Sequence, residues 1–337
     1  MAACIVERGV QLLKVCIFGG GAIGGYLAAH LARANLCEVS VVARGGTLQA
    51  IRDNGLTVST PTGTFTAKVR ATDNAAELGV QDYVFVTLKA HQVEDALPQL
   101  AQLMDDSTVV LPPTTGIPYY FFHGWSDGPQ DRRLPEIDPQ GRQWEAIPPR
   151  QVLGCVYWIG AHSPAPGVVM QDGAKAGLPI GELDGSHSER VVKLGKLLSA
   201  SGIESKVNDN IRGAIWVKFV NSLCWNPVAV LTLATLGAMA RSSAVTHIVK
   251  TMMEEADALA ARLGLQIPQS PDKRIAMTVS AANHKMSMLQ DLEHGRPMEL
   301  GALVRSLHAV RALTDLGTPA LDTVLALAAL RAEAMPS

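Results

Sequence analysis

Three short stretches of this 337-residue chain carry residue types from which chemistry could be built. The first is Gly19-Gly20-Gly21-Ala22-Ile23-Gly24, with Arg44 downstream. In such a run Gly19 permits a tight turn, Gly21 lets the backbone approach a pyrophosphate, and Gly24 lets a helix pack on the preceding strand. The start of that helix offers free N–H donors and a positive dipole end to the anion. Where an NAD-binding chain places Asp or Glu against the ribose 2′-OH, Arg44 stands instead and suits a 2′-phosphate. The expected cofactor is therefore NADP, taken as NADPH. A solvated charge at a strand end is the other reading of Arg44.

The second stretch, Ala214 to Trp225, is apolar all the way round, as a buried helix would be, and Lys218 is its only charge. Ser222 follows Lys218 at i+4, and Asn226 falls on roughly the same side. Asp209 is the expected N-cap, and Pro227 is expected to break or kink the helix. A desolvated lysine loses part of its preference for the charged form and could hand a proton to a developing alkoxide. A lysine snorkelling to the surface fits the same pattern equally well. The third stretch places Ser287 ahead of a Gly295-Arg296-Pro297 turn and Glu299 in the first turn of the last long amphipathic helix. A carboxylate there is commonly just a favourable partner for the helix dipole.

These residues need a frame. Lys14–Phe18 and Val39–Ala43 read as strands around the glycine turn and a helix over Tyr26–Ala34. Leu56–Ser59 and Thr64–Val69 flank Pro61-Thr62-Gly63 as a hairpin. Strands follow at Tyr83–Leu88 and Thr108–Leu111, separated by a helix from about Gln92 to Leu103. This alternation predicts an α/β, doubly wound parallel sheet of Rossmann type, with ligands at the carboxyl ends of its strands. Gly19, Arg44, Lys89 and Thr115 all lie there. Residues 117–150 break the pattern with Pro and charge, and carry Tyr119, Tyr120, Phe121, Phe122 and Trp125. A lid and a surface decoration are both open for this insertion. Strand-like runs return at Val152–Ile159, Gly167–Gln171 and Ala176–Ile180, then a helix over Ser188–Ser201. After Asn208 the pattern is helical throughout. The expected division is a dinucleotide-binding domain over 1–208 and an all-helical substrate and catalytic domain over 209–337.

Hydrophobic residues make up 47% of the chain and charged ones 18%, with a net charge of −2, so a basic nucleic-acid or anionic-lipid surface is not expected. No uninterrupted apolar run reaches membrane-spanning length, and the N-terminus, residues Met1 to about Leu13, reads as an extension without signal-peptide layout. The five cysteines, Cys4, Cys16, Cys37, Cys155 and Cys224, lack CxxC spacing and read as reduced residues of a cytoplasmic protein. No cluster has metal spacing, so no metal is expected.

Over nearly its whole length the chain resembles the ketopantoate reductases (2-dehydropantoate 2-reductases). The matching pieces are the Gly19–Gly24 turn, Thr87-Leu88-Lys89-Ala90, Trp216-Val217-Lys218 leading to Asn226-Pro227, and Ser287-Met288-Leu289-Gln290-Asp291 before Gly295-Arg296-Pro297 and Glu299. The resemblance implies NADPH-dependent reduction of a 2-oxo acid, ketopantoate to pantoate in pantothenate biosynthesis. Lys218 would be the catalytic acid and Glu299 the carboxylate that orients substrate. Ser287 and Asn226 would contact substrate, while Arg44 and Lys89 match the family's NADP contacts. The chain departs from the family at Thr115-Gly116, where Asn-Gly is usual, at Ser222, where Asn is usual, and at Gly301, where the family has an acid. These positions should lie near nicotinamide and substrate, so a bulkier 2-oxo acid and a non-catalytic NADP-binding sensor stay open as alternatives. No nucleic-acid or membrane partner is expected, and a homodimer is left open.

Overall fold

The computed structural model describes residues 12–113, 115–278 and 284–334. Cys4, Thr114 and most of the expected N-terminal extension lie outside them. β1 (Lys14–Phe18) is buried along all but its first residue, as a central parallel strand must be. α1 (Ala22–Ala34) begins at the glycine turn and ends where Asn35 takes a left-handed conformation. Then come β2 (Glu38–Val42), α2 (Gly45–Asn54), the hairpin β3 (Leu56–Thr60) and β4 (Gly63–Ala67), β5 (Arg70–Thr72), β6 (Tyr83–Val86), α3 (Val93–Leu100) and β7 (Val109–Leu111). Five of these strands form one parallel sheet in the order β5-β2-β1-β6-β7. Its direction reverses at β1, so the crevice at the carboxyl end of β1 is where a ligand belongs.

The hairpin forms as expected but stands outside that sheet. With β8 (Gly154–Cys155), β9 (Trp158–Ala165), β10 (Val168–Gly177) and β11 (Ile180–Gly181) on the page, its place is clear: β4-β3-β10-β9 make a second sheet, and β8 pairs with β11. α1 packs between the two sheets, touching β1 and β2 on one side and β3, β4, β9 and β10 on the other. That position explains its small residues. A Cβ on Gly25 would stand 2.8 Å from a Val169 methyl of β10. The expected runs at 167–171 and 176–180 fuse instead, most of them into β10, because a register irregularity between Gln171 and Ala176 absorbs Gly173, whose φ is +81°.

The insertion is not surface decoration. It contains the short α4 (Arg142–Ala146), and its aromatics are core: Tyr119, Tyr120, Phe121, Phe122 and Trp125 are all buried. Phe122 stacks on Trp125 with ring planes 4° apart, and Phe121 meets Trp216 of the helical half. The buried Arg212 guanidinium donates to the carbonyls of Phe121, His123 and Leu183. A strip of aromatics in a polar segment had a partner that only the fold could reveal.

α5 (Glu189–Ala200) is capped by Ser188. α6 (Ile211–Thr232) starts one residue later than expected, since Asn210, not Asp209, accepts from the Gly213 N–H at 3.0 Å. Nor does Pro227 end the helix, which runs on to Thr232 because Val228, Ala229 and Val230 beyond it are buried. α6 is long and apolar enough to cross a bilayer by length and composition, yet 78% of its most apolar window is buried inside the protein. Around it lie α7 (Leu236–Arg241), α8 (Ser243–Arg262), α9 (Pro271–Thr278), α10 (Ser287–Glu293), α11 (Leu300–Arg311) and α12 (Pro319–Glu333). Glu299 thus stands at the N-cap of α11, the last long amphipathic helix, one step ahead of the first turn where it was expected, and α12 beyond it has little apolar bias to one face. One hydrophobic cluster joins Phe18, Val84 and Val110 of the sheet to Trp216, Leu289 and Leu307 of the helices.

Candidate active site

The glycine turn has the shape its residue types imply. Gly19 sits at φ +120°, where a side chain would be strained, and a Cβ on Gly24 would fall 1.9 Å from the Gly19 carbonyl. The Thr87 hydroxyl donates to that same carbonyl at 2.9 Å and pins the turn to the end of β6. Gly21 has open space where its Cβ would be, and it serves as N-cap for Ala22 and Ile23 in the first turn of α1. A groove of about 250 Å³ opens here, lined by Gly19, Gly20, Gly21, Arg44, Thr47 and Gln92. Backbone amides at a helix start, a bare glycine and an arginine fit a dinucleotide phosphate. Sequence reasoning did not single out Thr47 or Gln92. Thr47 could have been found as the first-turn hydroxyl of the helix that Arg44 caps.

Lys89 points elsewhere. Its ammonium lies 2.5 Å from Asp291 on α10 and 3.5 Å from the Pro297 carbonyl, and it does not line that groove. Asp291, buried, also accepts from Arg296 at 3.1 Å. The quoted Ser287–Asp291 stretch contained this carboxylate but gave it no role.

Lys218 is half-buried on α6, and its ammonium lies over the indole of Trp158, 4.9 Å from the ring centroid. Among the described residues it has no hydrogen bond or ion pair. Burial pushes its pKa below the ordinary lysine value, against the opposing pull of the Glu299 charge. Glu299 occupies the N-cap position of α11, where its carboxylate accepts from the Ala90 N–H at 2.9 Å and the Thr115 hydroxyl at 3.4 Å. The structure therefore brings Lys218, Glu299 and Thr115 into one neighbourhood.

A second group gathers at the start of α10. Buried Asn226 accepts from the Met288 N–H at 3.1 Å and the Ser287 hydroxyl at 3.4 Å, and its amide donates to the Ser222 carbonyl at 3.1 Å. Asn226 is thus engaged in fixing α10 to α6, while Ser287 is exposed. Two residues near Lys218 escaped sequence reasoning altogether. Trp158 comes from the second sheet. His284, just ahead of α10, feels the Lys218 and Asp172 charges, and burial lowers its pKa. No local spacing connects either one to the lysine.

A glycine turn at the switch point, a phosphate-suited groove and a desolvated lysine define a nicotinamide-dependent oxidoreductase on a Rossmann sheet. The family described as "Ketopantoate reductase PanE/ApbA" matches residues 15–117, and its C-terminal counterpart matches residues 210–332. The chain belongs to the ketopantoate reductase family. It is 42% identical to a 2-dehydropantoate 2-reductase of Mesorhizobium japonicum, over 94% of this chain and 96% of that one. A provisionally named ketopantoate reductase structure from Ralstonia solanacearum MolK2 superposes with TM-score 0.86 at 38% identity, covering 96% and 98% of the two chains. A D-mandelate dehydrogenase bound to NADH and anilino(oxo)acetate shares the fold, with TM-score 0.79 at 20% identity over 95% and 99%.

Proposed function

We propose that this chain reduces 2-dehydropantoate to pantoate with NADPH. The substrate would be held between a nucleotide-binding half, residues 1–208, and a helical half, residues 209–337. The observation that carries the reading is the Lys218 ammonium, desolvated, without an anion partner among the described residues and close enough to Glu299 to feel its charge. The name of the Mesorhizobium relative supports the choice of substrate.

Gly19, Gly20, Gly21, Arg44, Thr47 and Gln92 would hold the dinucleotide, whose nicotinamide supplies the hydride. Lys218 donates a proton from Nζ to the substrate's 2-oxo oxygen and stabilises negative charge growing there. The exposed Ser287 hydroxyl answers the substrate carboxylate. Glu299, fixed by Ala90 and Thr115, accepts from the terminal hydroxyl of ketopantoate and loses a partner when that hydroxyl is missing.

A reductase for a bulkier, more apolar 2-oxo acid is the second reading. It is favoured by Trp158, which leaves 37% of its surface exposed beside Lys218, and by Gly301, which puts no acid next to Glu299. Steady-state NADPH oxidation separates the two. A large kcat/KM preference for ketopantoate over 2-oxoisovalerate, which lacks the hydroxymethyl group, supports the first reading. A preference for 2-oxoisovalerate sinks it. Tight NADPH binding with no turnover of any 2-oxo acid makes the protein a sensor.

A further inference from the structure

Trp158 opens β9, the edge strand of the second sheet, and pairs with Gly177 of β10. It belongs to neither hydrophobic core cluster and remains partly exposed, so filling space does not account for it. The Lys218 ammonium lies over its ring, 4.9 Å from the centroid. Lys218 has no hydrogen-bond or ion-pair partner among the described residues.

We propose that Trp158 is a positioning residue for the proton donor, holding the Lys218 ammonium on its indole face so that all three N–H bonds remain free for substrate. The proposal rests on reading Lys218 as the acid of a 2-oxo acid reductase. An aromatic face attracts a cation through the ring's quadrupole and takes none of its protons. A carboxylate in the same place would occupy one of those N–H bonds and, by favouring the charged form more strongly, oppose proton release. The indole therefore keeps the lysine both charged and available, which a carboxylate cannot do.

The charged groups around the ammonium set how its titration is read. Glu299, ahead of α11, favours the protonated form. His284 lies on the side of α10, and Asp172 of β10 faces His284 while bonding His162 at 2.9 Å. Burial lowers the His284 pKa, Asp172 opposes that shift, and Lys218 adds to it. His284 is consequently neutral across the alkaline range, where a lysine acid loses its proton and kcat falls.

The test compares wild type, Trp158→Phe and Trp158→Leu, using NADPH and ketopantoate. Removing the quadrupole lowers the lysine's pKa. Trp158→Leu should therefore move the alkaline limb of kcat to lower pH by roughly half to one and a half units, the span of a cation–π contact. Trp158→Phe, which keeps a weaker face, should fall between that variant and wild type. An unchanged limb in Trp158→Leu, or a Phe variant no closer to wild type than the Leu one, overturns the proposal. A measurement without turnover separates this from the activity itself. Emission of the wild type minus that of Trp158→Phe should titrate across the alkaline range, and Lys218→Met should abolish the titration. A flat difference, or one untouched by Lys218→Met, overturns the proposal even if ketopantoate is a substrate. A clear titration in a protein inactive on ketopantoate upholds the contact and rejects the substrate.

Discussion

The ammonium of Lys89, at the end of β6, lies 2.5 Å from the carboxylate of Asp291 on α10. This ion pair ties the nucleotide-binding sheet to the helices, with Arg296 on the other carboxylate oxygen at 3.1 Å. The same Lys89 is expected to meet the cofactor, so Asp291 and a phosphate compete for one charge. Asp291→Asn should cost about 1–3 kcal/mol of stability, as for the loss of a charged hydrogen bond at a buried acceptor. Its NADPH dissociation constant should not rise, and should fall at low salt. Weaker NADPH binding by titration would mean that the ion pair shapes the groove rather than competing with the cofactor.

Arg44 should decide between the two nicotinamide cofactors. Asp95 lines the same groove and would repel a 2′-phosphate, so the arginine must outweigh it. Arg44→Ala should raise the NADPH dissociation constant by one to two decades, about 1.5–3 kcal/mol for a charged hydrogen bond. NADH affinity should hardly change. Equal losses for both cofactors in a fluorescence titration would put Arg44 outside the 2′-phosphate site.

Lys218→Met should lower kcat by about 10²–10⁴, the usual span for one acid–base group, with NADPH affinity intact. The same change should stabilise the fold. Burial depresses the lysine's pKa in the folded protein, so between that value and the ordinary 10.5 the unfolded chain binds more protons. Stability of the wild type therefore rises with pH through this window, and the penalty of the buried charge is largest below it. The Tm advantage of Lys218→Met should be greatest at neutral pH and shrink toward pH 10.5. An advantage constant with pH would place the ammonium in water.

Arg212→Met should release the insertion. Its guanidinium answers the carbonyls of Phe121, His123 and Leu183, which would be left buried and unpaired. A loss of about 2–4 kcal/mol is expected, the range for breaking a buried network, with new protease cleavage within residues 117–150. Unchanged protease resistance would show that aromatic packing alone holds the segment.

The parallel sheet and the glycine turn were legible because both are local. A short buried run, a Gly-rich corner and a helix lie consecutively, and strand, turn and helix each announce their own period. The buried character of α6 was equally legible from Lys218 standing alone in an apolar stretch. Trp158 and Asp291 were not, because their partners come from other sheets and helices and nothing local marks a tryptophan as facing a lysine. The hairpin's second sheet escaped for the same reason, since β3 pairs with β10 far along the chain. Pro227 and Asp209 misled in another way. Local propensity favoured a break and a cap there, and tertiary packing and the neighbouring Asn210 overrode it.

The buried aromatic strip also has a consequence for how the protein is made. Phe121, Phe122 and Trp125 leave the ribosome well before the helix that covers them. Trp216 and Phe219 follow roughly ninety residues later, on the order of 5–20 s at ordinary elongation rates. During that interval the nascent chain displays large rings that have one another but lack their helical cover, the kind of surface that chaperones hold and that neighbouring nascent chains adhere to. The yield of folded protein should therefore depend on synthesis rate and chaperone supply as well as on the stability of the finished fold.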